Sequence, residues 1–229
     1  MVKKSNIIPV VPFSSLENFQ NIIENCDQKK WKKEGYISKG DTGSVYIACD
    51  TLGSCDYVMK IQKADTSFYN EVRALVELRE IEIVPTIYAA WTCKTEGFMI
   101  IEKLRACELA PELVYSQIKQ GLAELLKHDW LFVDIHRGNF MCGKNGKVVL
   151  IDFGWAVKKE HLGDAQIYPY HPLSEKFKKP ITWKFLKIVQ NHNLDFNFHP
   201  KFRKSEIPNS FVDETEAEYK KKYREFMTT

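Results

Sequence analysis

The period of the hydrophobic positions changes several times along the chain, and each change predicts an element. Ser14 or Ser15, with Glu17 closing a capping box on Ser14, precedes Leu16, Phe19, Ile22 and Ile23 and predicts a helix inside a leader of residues 1–30. From Tyr36 the texture is strand-like. Ser44–Cys49 and Asp56–Ile61 are β-rich runs separated by Thr51-Leu52-Gly53-Ser54, which predicts a hairpin. Between Thr66 and Glu80, Phe68, Val72, Leu75 and Val76 recur at helical spacing, and strand character returns at Thr86–Thr92 and Gly97–Ile101. Beyond Glu102, Val114, Ile118, Leu122 and Leu125 mark one face of a long helix. A second hairpin is predicted from Phe140–Cys142 and Val148–Ile151 around Gly143-Lys144-Asn145-Gly146. Past Gly154 the regular pattern fades, until Glu214–Met227 reads as a charged helix with Tyr219, Tyr223 and Phe226. The expectation is an α+β chain in two halves joined near Glu102, the first strand-rich with one helix, the second helix-rich.

Composition narrows the classes. Of 229 residues, 44% are hydrophobic and 13% aromatic, enough for a packed core and too much for a disordered chain. Lysine and arginine number 33 against 30 acidic residues, and this near balance disfavours a dedicated nucleic-acid partner. Lys176-Phe177-Lys178-Lys179 and Lys201-Phe202-Arg203-Lys204 interleave charge with aromatics, a pattern also common on ordinary surfaces. No window approaches the length of a membrane span and no signal peptide is read at the N-terminus, so the expectation is an intracellular protein, cytoplasmic with the nucleus left open, without a membrane. The cysteines (Cys26, Cys49, Cys55, Cys93, Cys107, Cys142) show no C-x-x-C pair, and reduced, mostly buried thiols are expected. His161, His171, His192 and His199 show no metal-ligand spacing.

Three segments carry candidate chemistry. Ser38-Lys39-Gly40-Asp41-Thr42-Gly43-Ser44-Val45 is a turn between strands whose glycines allow backbone N–H groups to approach phosphate oxygens, although hairpin turns use glycine for conformation alone. Lys60 lies in the apolar run Tyr57–Ile61 and needs an anionic partner or solvent. Glu71 is the best partner, in register with Leu75 and Leu78, with Glu77 and Glu80 as alternatives. In Val133-Asp134-Ile135-His136-Arg137-Gly138-Asn139-Phe140, polar residues crowd between apolar runs, and the hairpin that follows brings Asp152 of Asp152-Phe153-Gly154 back towards Asn139. Asn139 and Asp152 offer the oxygen ligands that Mg²⁺ prefers, and Asp134 remains free to orient a hydroxyl and take its proton.

In this order the motifs resemble the protein kinase superfamily, over residues 36–155. The resemblance implies a two-lobed kinase-like fold in one domain, residues 1–229: an extension over 1–30, a small antiparallel-sheet N-lobe with one helix over 31–103, and a reduced helical C-lobe over 104–229. It implies that the backbone around Ser38, Gly40, Asp41, Thr42, Gly43 and Ser44 covers the ATP phosphates, and that Lys60, held by Glu71, contacts them. Ile101 resembles a gatekeeper, the Glu102 carbonyl and Leu104 amide reach adenine, and Val45 and Met141 sandwich its ring. Asn139 and Asp152 hold Mg²⁺ and Asp134 is the catalytic base.

The chain also departs from the pattern. Ser38 stands for the first glycine, Phe132-Val133 replaces the common His-Arg, and no Ala-Pro-Glu follows Asp152-Phe153-Gly154. The missing arginine removes the usual ligand for an activation-loop phosphate. His136 two residues after Asp134 is similar to aminoglycoside-type phosphotransferases, which implies a catalytic role for it beside Asp134, Lys60 and Glu71, and the abbreviation is similar to the small kinase of the KEOPS complex. The implied function is an ATP- and Mg²⁺-dependent serine/threonine protein kinase with a protein substrate and a partner protein that supplies specificity. The alternatives are a small-molecule phosphotransferase and a complex-bound ATPase or pseudokinase scaffold.

Overall fold

The computed structural model describes residues 24–40, 43–162 and 183–198. The helix expected in the leader, the turn residues Asp41 and Thr42, the two basic–aromatic stretches and the charged C-terminal helix lie outside them. The described residues form two compact units, one of 24–107 and 141–154, the other of 108–140, 155–162 and 183–198.

The first unit is built on an antiparallel sheet of β1 (Trp31–Lys39), β2 (Gly43–Asp50), β3 (Tyr57–Lys63), β4 (Ile87–Cys93) and β5 (Glu96–Glu102), in the order β1-β2-β3-β5-β4. Directly paired residues share a face, so the register Val45↔Lys60↔Met99 places Val45, Val58, Lys60, Gln62, Met99 and Ile101 on one side. The opposite side carries a core of Ala48, Met59, Ala89, Trp91 and Ile100, flanked by Trp31, Tyr57, Tyr88 and Phe98. On the Lys60 side lies α1 (Thr66–Glu77). Asp65 caps its first turn by accepting from the Ser67 and Phe68 amides at 3.1 and 3.3 Å. Phe68 packs so closely on Gly97 of β5 that a Cβ there would meet its ring. The helix ends at Glu77, short of the expected Glu80, with the buried Leu78 as its C-cap, and the chain turns away as the Ile81 amide donates to the Leu78 carbonyl at 2.9 Å.

The hairpin of β7 (Phe140–Cys142) and β8 (Val148–Leu150) returns the chain to this unit. Gly146 takes φ of 76° but Asn145 does not, so in place of the expected two-residue Asn-Gly turn the hairpin closes as a three-residue loop, with the Gly146 amide donating to Gly143 and the Gly143 amide to Lys147. The Leu150 amide donates to Ile83 at 2.8 Å, and Arg105 and Cys142 exchange backbone hydrogen bonds.

The cysteines overturn the expectation of reduced thiols. Cys26 is bonded to Cys93, Cys49 to Cys55 and Cys107 to Cys142. Spacing along the chain hid these pairs because sheet pairing creates them: Cys49 and Cys55 flank the β2–β3 turn, and a bridge between Glu24 and Thr92 brings Cys26 to the end of β4.

The second unit contains α2 (Pro111–Lys127), α3 (Trp183–Phe198) and a short ladder of β6 (Trp130–Leu131) with β9 (Val157–Lys158). Val114, Ile118, Leu122 and Leu125 are all buried along α2, as their spacing predicts. The helix α3 was not predicted, since the regular pattern fades past Gly154. Leu186 of α3 packs with Leu131, Val133 and Val157, and Trp155 and Trp183 lie against this cluster. Among the described residues no helix is long and apolar enough to cross a membrane.

Candidate active site

In the first unit the sheet and α1 bring three of the expected residues together. Lys60 Nζ donates to both Glu71 carboxylate oxygens, at 2.9 and 2.7 Å, and to Asp152 Oδ1 at 3.2 Å. Glu77 and Glu80, the alternative partners, face Arg73 and Arg79 instead. The side chains of Lys60 and Glu71 are 11% and 3% exposed, whereas Asp152 is 35% exposed, so the cluster runs from a dry pair to an accessible carboxylate. Burial acts against the Lys60 charge, but the Glu71 and Asp152 carboxylates outweigh it and raise its pKa above 10.5. Burial also pushes the Glu71 carboxyl up, against the pull of Lys60. The three short contacts keep Lys60 cationic, and that cation holds the pair together.

Two polar residues not singled out in the sequence complete this cluster. Gln62 follows Lys60 by two positions on β3 and therefore shares its face; its amide donates to Glu71 Oε2 at 3.4 Å. Asn70, buried beside Glu71 on α1, donates to the Gly154 and Phe153 carbonyls at 3.0 and 3.4 Å. A polar residue inside a helix's apolar stripe was the available signal for Asn70, and the two-residue strand period for Gln62.

The phosphate turn is described at its flanks. Lys39 pairs with Ser44 and Ser38 with Val45, and the Gly40 amide donates to the Gly43 carbonyl at 2.8 Å. Gly43 has a steric reason of its own: a Cβ there would run into the Ile61 carbonyl and Gln62 of β3. Ser38 and Gly40 are exposed, and Ser44 and Val45 half-buried. The Glu102 carboxylate accepts from the Thr86 amide at 2.9 Å. The amides of Glu102, Lys103 and Arg105 donate to the carbonyls of Thr86, Asp56 and Cys142. Leu104, Ile101 and Met141 are half-buried.

In the second unit the loop Phe132–Asn139 brings together Asp134, His136 and Asn139. Asn139 Nδ2 donates to the Asp134 carbonyl at 3.0 Å and to Asp134 Oδ2 at 2.9 Å. Both bonds use the amide nitrogen, which turns the amide oxygen away from Asp134. The His136 ring caps the turn Arg137–Asn139, its Nδ1 accepting from the Gly138 amide at 3.0 Å. His136 Nε2 lies 3.7 Å from Asp134 Oδ2, too far for a hydrogen bond.

Helix α3 holds this loop from behind. Gln190 Oε1 accepts from the Phe132 amide at 2.9 Å, Asn193 Nδ2 donates to the Val133 carbonyl at 2.7 Å, and Asn197 Nδ2 donates to the Ile135 carbonyl at 2.9 Å. Positions 190, 193 and 197 fall on one helical face. Sequence reasoning missed these amides because it looked for apolar periodicity in this stretch.

The arrangement offers a charge-neutralised lysine with an accessible carboxylate in one unit and an accessible carboxylate braced by an amide in the other. Comparison with known proteins points the same way. A family model described as the ABC1 atypical kinase-like domain matches residues 83–163, which include Asp134, Asn139 and Asp152 and exclude Lys60 and Glu71. A Rho-associated protein kinase of Caenorhabditis briggsae is 22% identical over 191 residues, covering 71% of this chain and 16% of its own length.

Proposed function

On the footing of protein kinase superfamily membership, which both comparisons support, we propose that this chain is an ATP- and Mg²⁺-dependent phosphotransferase acting on serine or threonine hydroxyls of a protein. The observation that carries the reading is the Lys60–Glu71–Asp152 cluster. A buried ion pair on its own is weak evidence for stability, because desolvation offsets the attraction. A buried lysine that reaches an accessible carboxylate is suited to meet a polyanion, and the ordered motifs name it a nucleotide triphosphate. In this reading the five-stranded sheet and α1 belong to the N-lobe, and α2, α3 and the Asp134 loop to the reduced C-lobe, of one kinase-like domain.

Lys60 neutralises charge on the ATP phosphates, and Glu71 holds its ammonium in place through two short hydrogen bonds. The Asp152 carboxylate and the Asn139 amide oxygen are each hard oxygen ligands of the kind that Mg²⁺ takes and shares with phosphates. Held by such oxygens, the ion would offset charge on the transferring phosphoryl group. Asp134 Oδ accepts the proton of the substrate hydroxyl as its oxygen bonds to the γ-phosphorus, and the bond from that phosphorus to the bridging oxygen breaks to release ADP. Asn139 orients the Asp134 carboxylate through its amide N–H. His136 Nδ1 accepts from the Gly138 amide, and in this reading that cap steadies the turn that carries Asn139.

The deciding experiment incubates the full chain and its Asp134→Ala variant with Mg²⁺ and γ-labelled ATP, once with a protein mixture and once with a metabolite pool. Label in protein, reduced at least about 100-fold in the variant, is expected. Label confined to small molecules, or ATP turnover without any acceptor, would overturn the protein-kinase assignment.

A further inference from the structure

Asn70 stands on the buried face of α1, where an apolar side chain would pack without a polar group to satisfy. Its carboxamide is spent on two successive carbonyls, those of Phe153 and Gly154. The residue just before them, Asp152, has φ of 66°, in the left-handed region that few non-glycine residues occupy. Gly154 leaves no room for a side chain: a Cβ would collide with Ser67 Oγ, one turn before Glu71 on the same helix. One face of α1 therefore meets the Asp152–Gly154 turn at three points, through Glu71 and Lys60 to the carboxylate, through Asn70 to the backbone, and through Ser67 against Gly154.

We infer that Asn70 is a positioning residue that latches the Asp152–Gly154 turn to α1 and so holds the Asp152 carboxylate in the orientation that receives Mg²⁺. The inference rests on the phosphotransferase reading for the metal and on the hydrogen bonds alone for the latch. Gripping the Phe153 and Gly154 carbonyls fixes the planes of the two peptides that follow Asp152. Without that grip Asp152 is free to leave the left-handed region, while Lys60 and Glu71 keep each other in place. The loss falls on the metal rather than on the nucleotide.

The test uses the full chain with Asn70→Asp, which keeps the shape and loses the donor, and Asn70→Leu, which keeps an apolar filling of the site. Binding of a fluorescent ATP analogue is titrated with and without Mg²⁺, and hydrogen exchange is followed in peptides spanning residues 150–155 and 66–77. The expected result is a rise of about tenfold in the Mg²⁺ concentration for half-saturation, metal-free affinity within about twofold, and faster exchange at 150–155 with 66–77 unchanged. An unchanged Mg²⁺ requirement with unchanged exchange would overturn the latch. So would a uniform loss of both affinities with faster exchange throughout, the signature of a packing residue. If the wild type shows no Mg²⁺-dependent nucleotide binding, the phosphotransferase reading fails, and the exchange at 150–155 alone decides whether Asn70 holds the turn.

Discussion

Lys60 and Glu71 form a pair whose halves respond differently to removal. Deleting the acid leaves a buried ammonium with only the half-exposed Asp152, and losing one partner of such a pair costs about 3–5 kcal/mol, so Glu71→Ala is expected to unfold at markedly lower denaturant. Deleting the base is gentler, because Glu71 can take up a proton. Its folded-state pKa already lies above the ordinary 4.5 through burial, and without Lys60 only the long Gln62 hydrogen bond pulls it back. A group whose folded pKa is raised contributes stability that is complete below the unfolded value and lost as pH rises through the folded one. Urea unfolding of Lys60→Met should therefore approach the wild type near pH 4.5 and fall behind it progressively towards neutrality. Parallel curves for the two proteins would refute this. The pairing was legible because Glu71 repeats with Leu75 and Leu78 and so had to face inward. Gln62 and Asn70 were not, since each is an ordinary amide until the fold puts it against a charged or carbonyl partner.

The elements divide by what their buried faces are made of. Strands β2 and β3, helices α1 and α2 and the β7–β8 hairpin bury apolar residues at regular spacing, and all were legible in the sequence. The strand β1 is exposed along almost its whole length, which erases the alternation before Tyr36. Helix α3 directs Gln190, Asn193 and Asn197 to the backbone of the Asp134 loop, so its working face is polar where periodicity searches expect leucine. That face has a measurable task. Removing two of the amides in Asn193→Ala with Asn197→Ala leaves the Val133 and Ile135 carbonyls without their donors, and the loop loosens. Phosphate transfer should fall about 10- to 100-fold with ATP affinity unchanged within about twofold, read from kcat and from nucleotide titration. A fall in nucleotide affinity of the same size would show that α3 supports more than the loop.

For the whole molecule, the three disulfides matter most, and all of them lie in the first unit. Such bonds suit an oxidising setting better than the reduced thiols expected from cysteine spacing. Alkylating the denatured, unreduced protein should label no cysteine, and its mass should be lower by two hydrogens for each of the three bonds. Reduction should lower the unfolding midpoint, the Cys26–Cys93 bond contributing most because it spans 67 residues. Six labelled thiols would contradict the structure. The first unit is also discontinuous. Asp152, the Cys142 partner of Cys107 and the Leu150 amide that bonds Ile83 all arrive after a detour of residues 108–140. During synthesis the sheet and α1 leave the ribosome well before the segment that completes them. Until Gly154 has emerged, Lys60 and Glu71 wait without their third partner, and the nascent sheet has to be kept from pairing elsewhere.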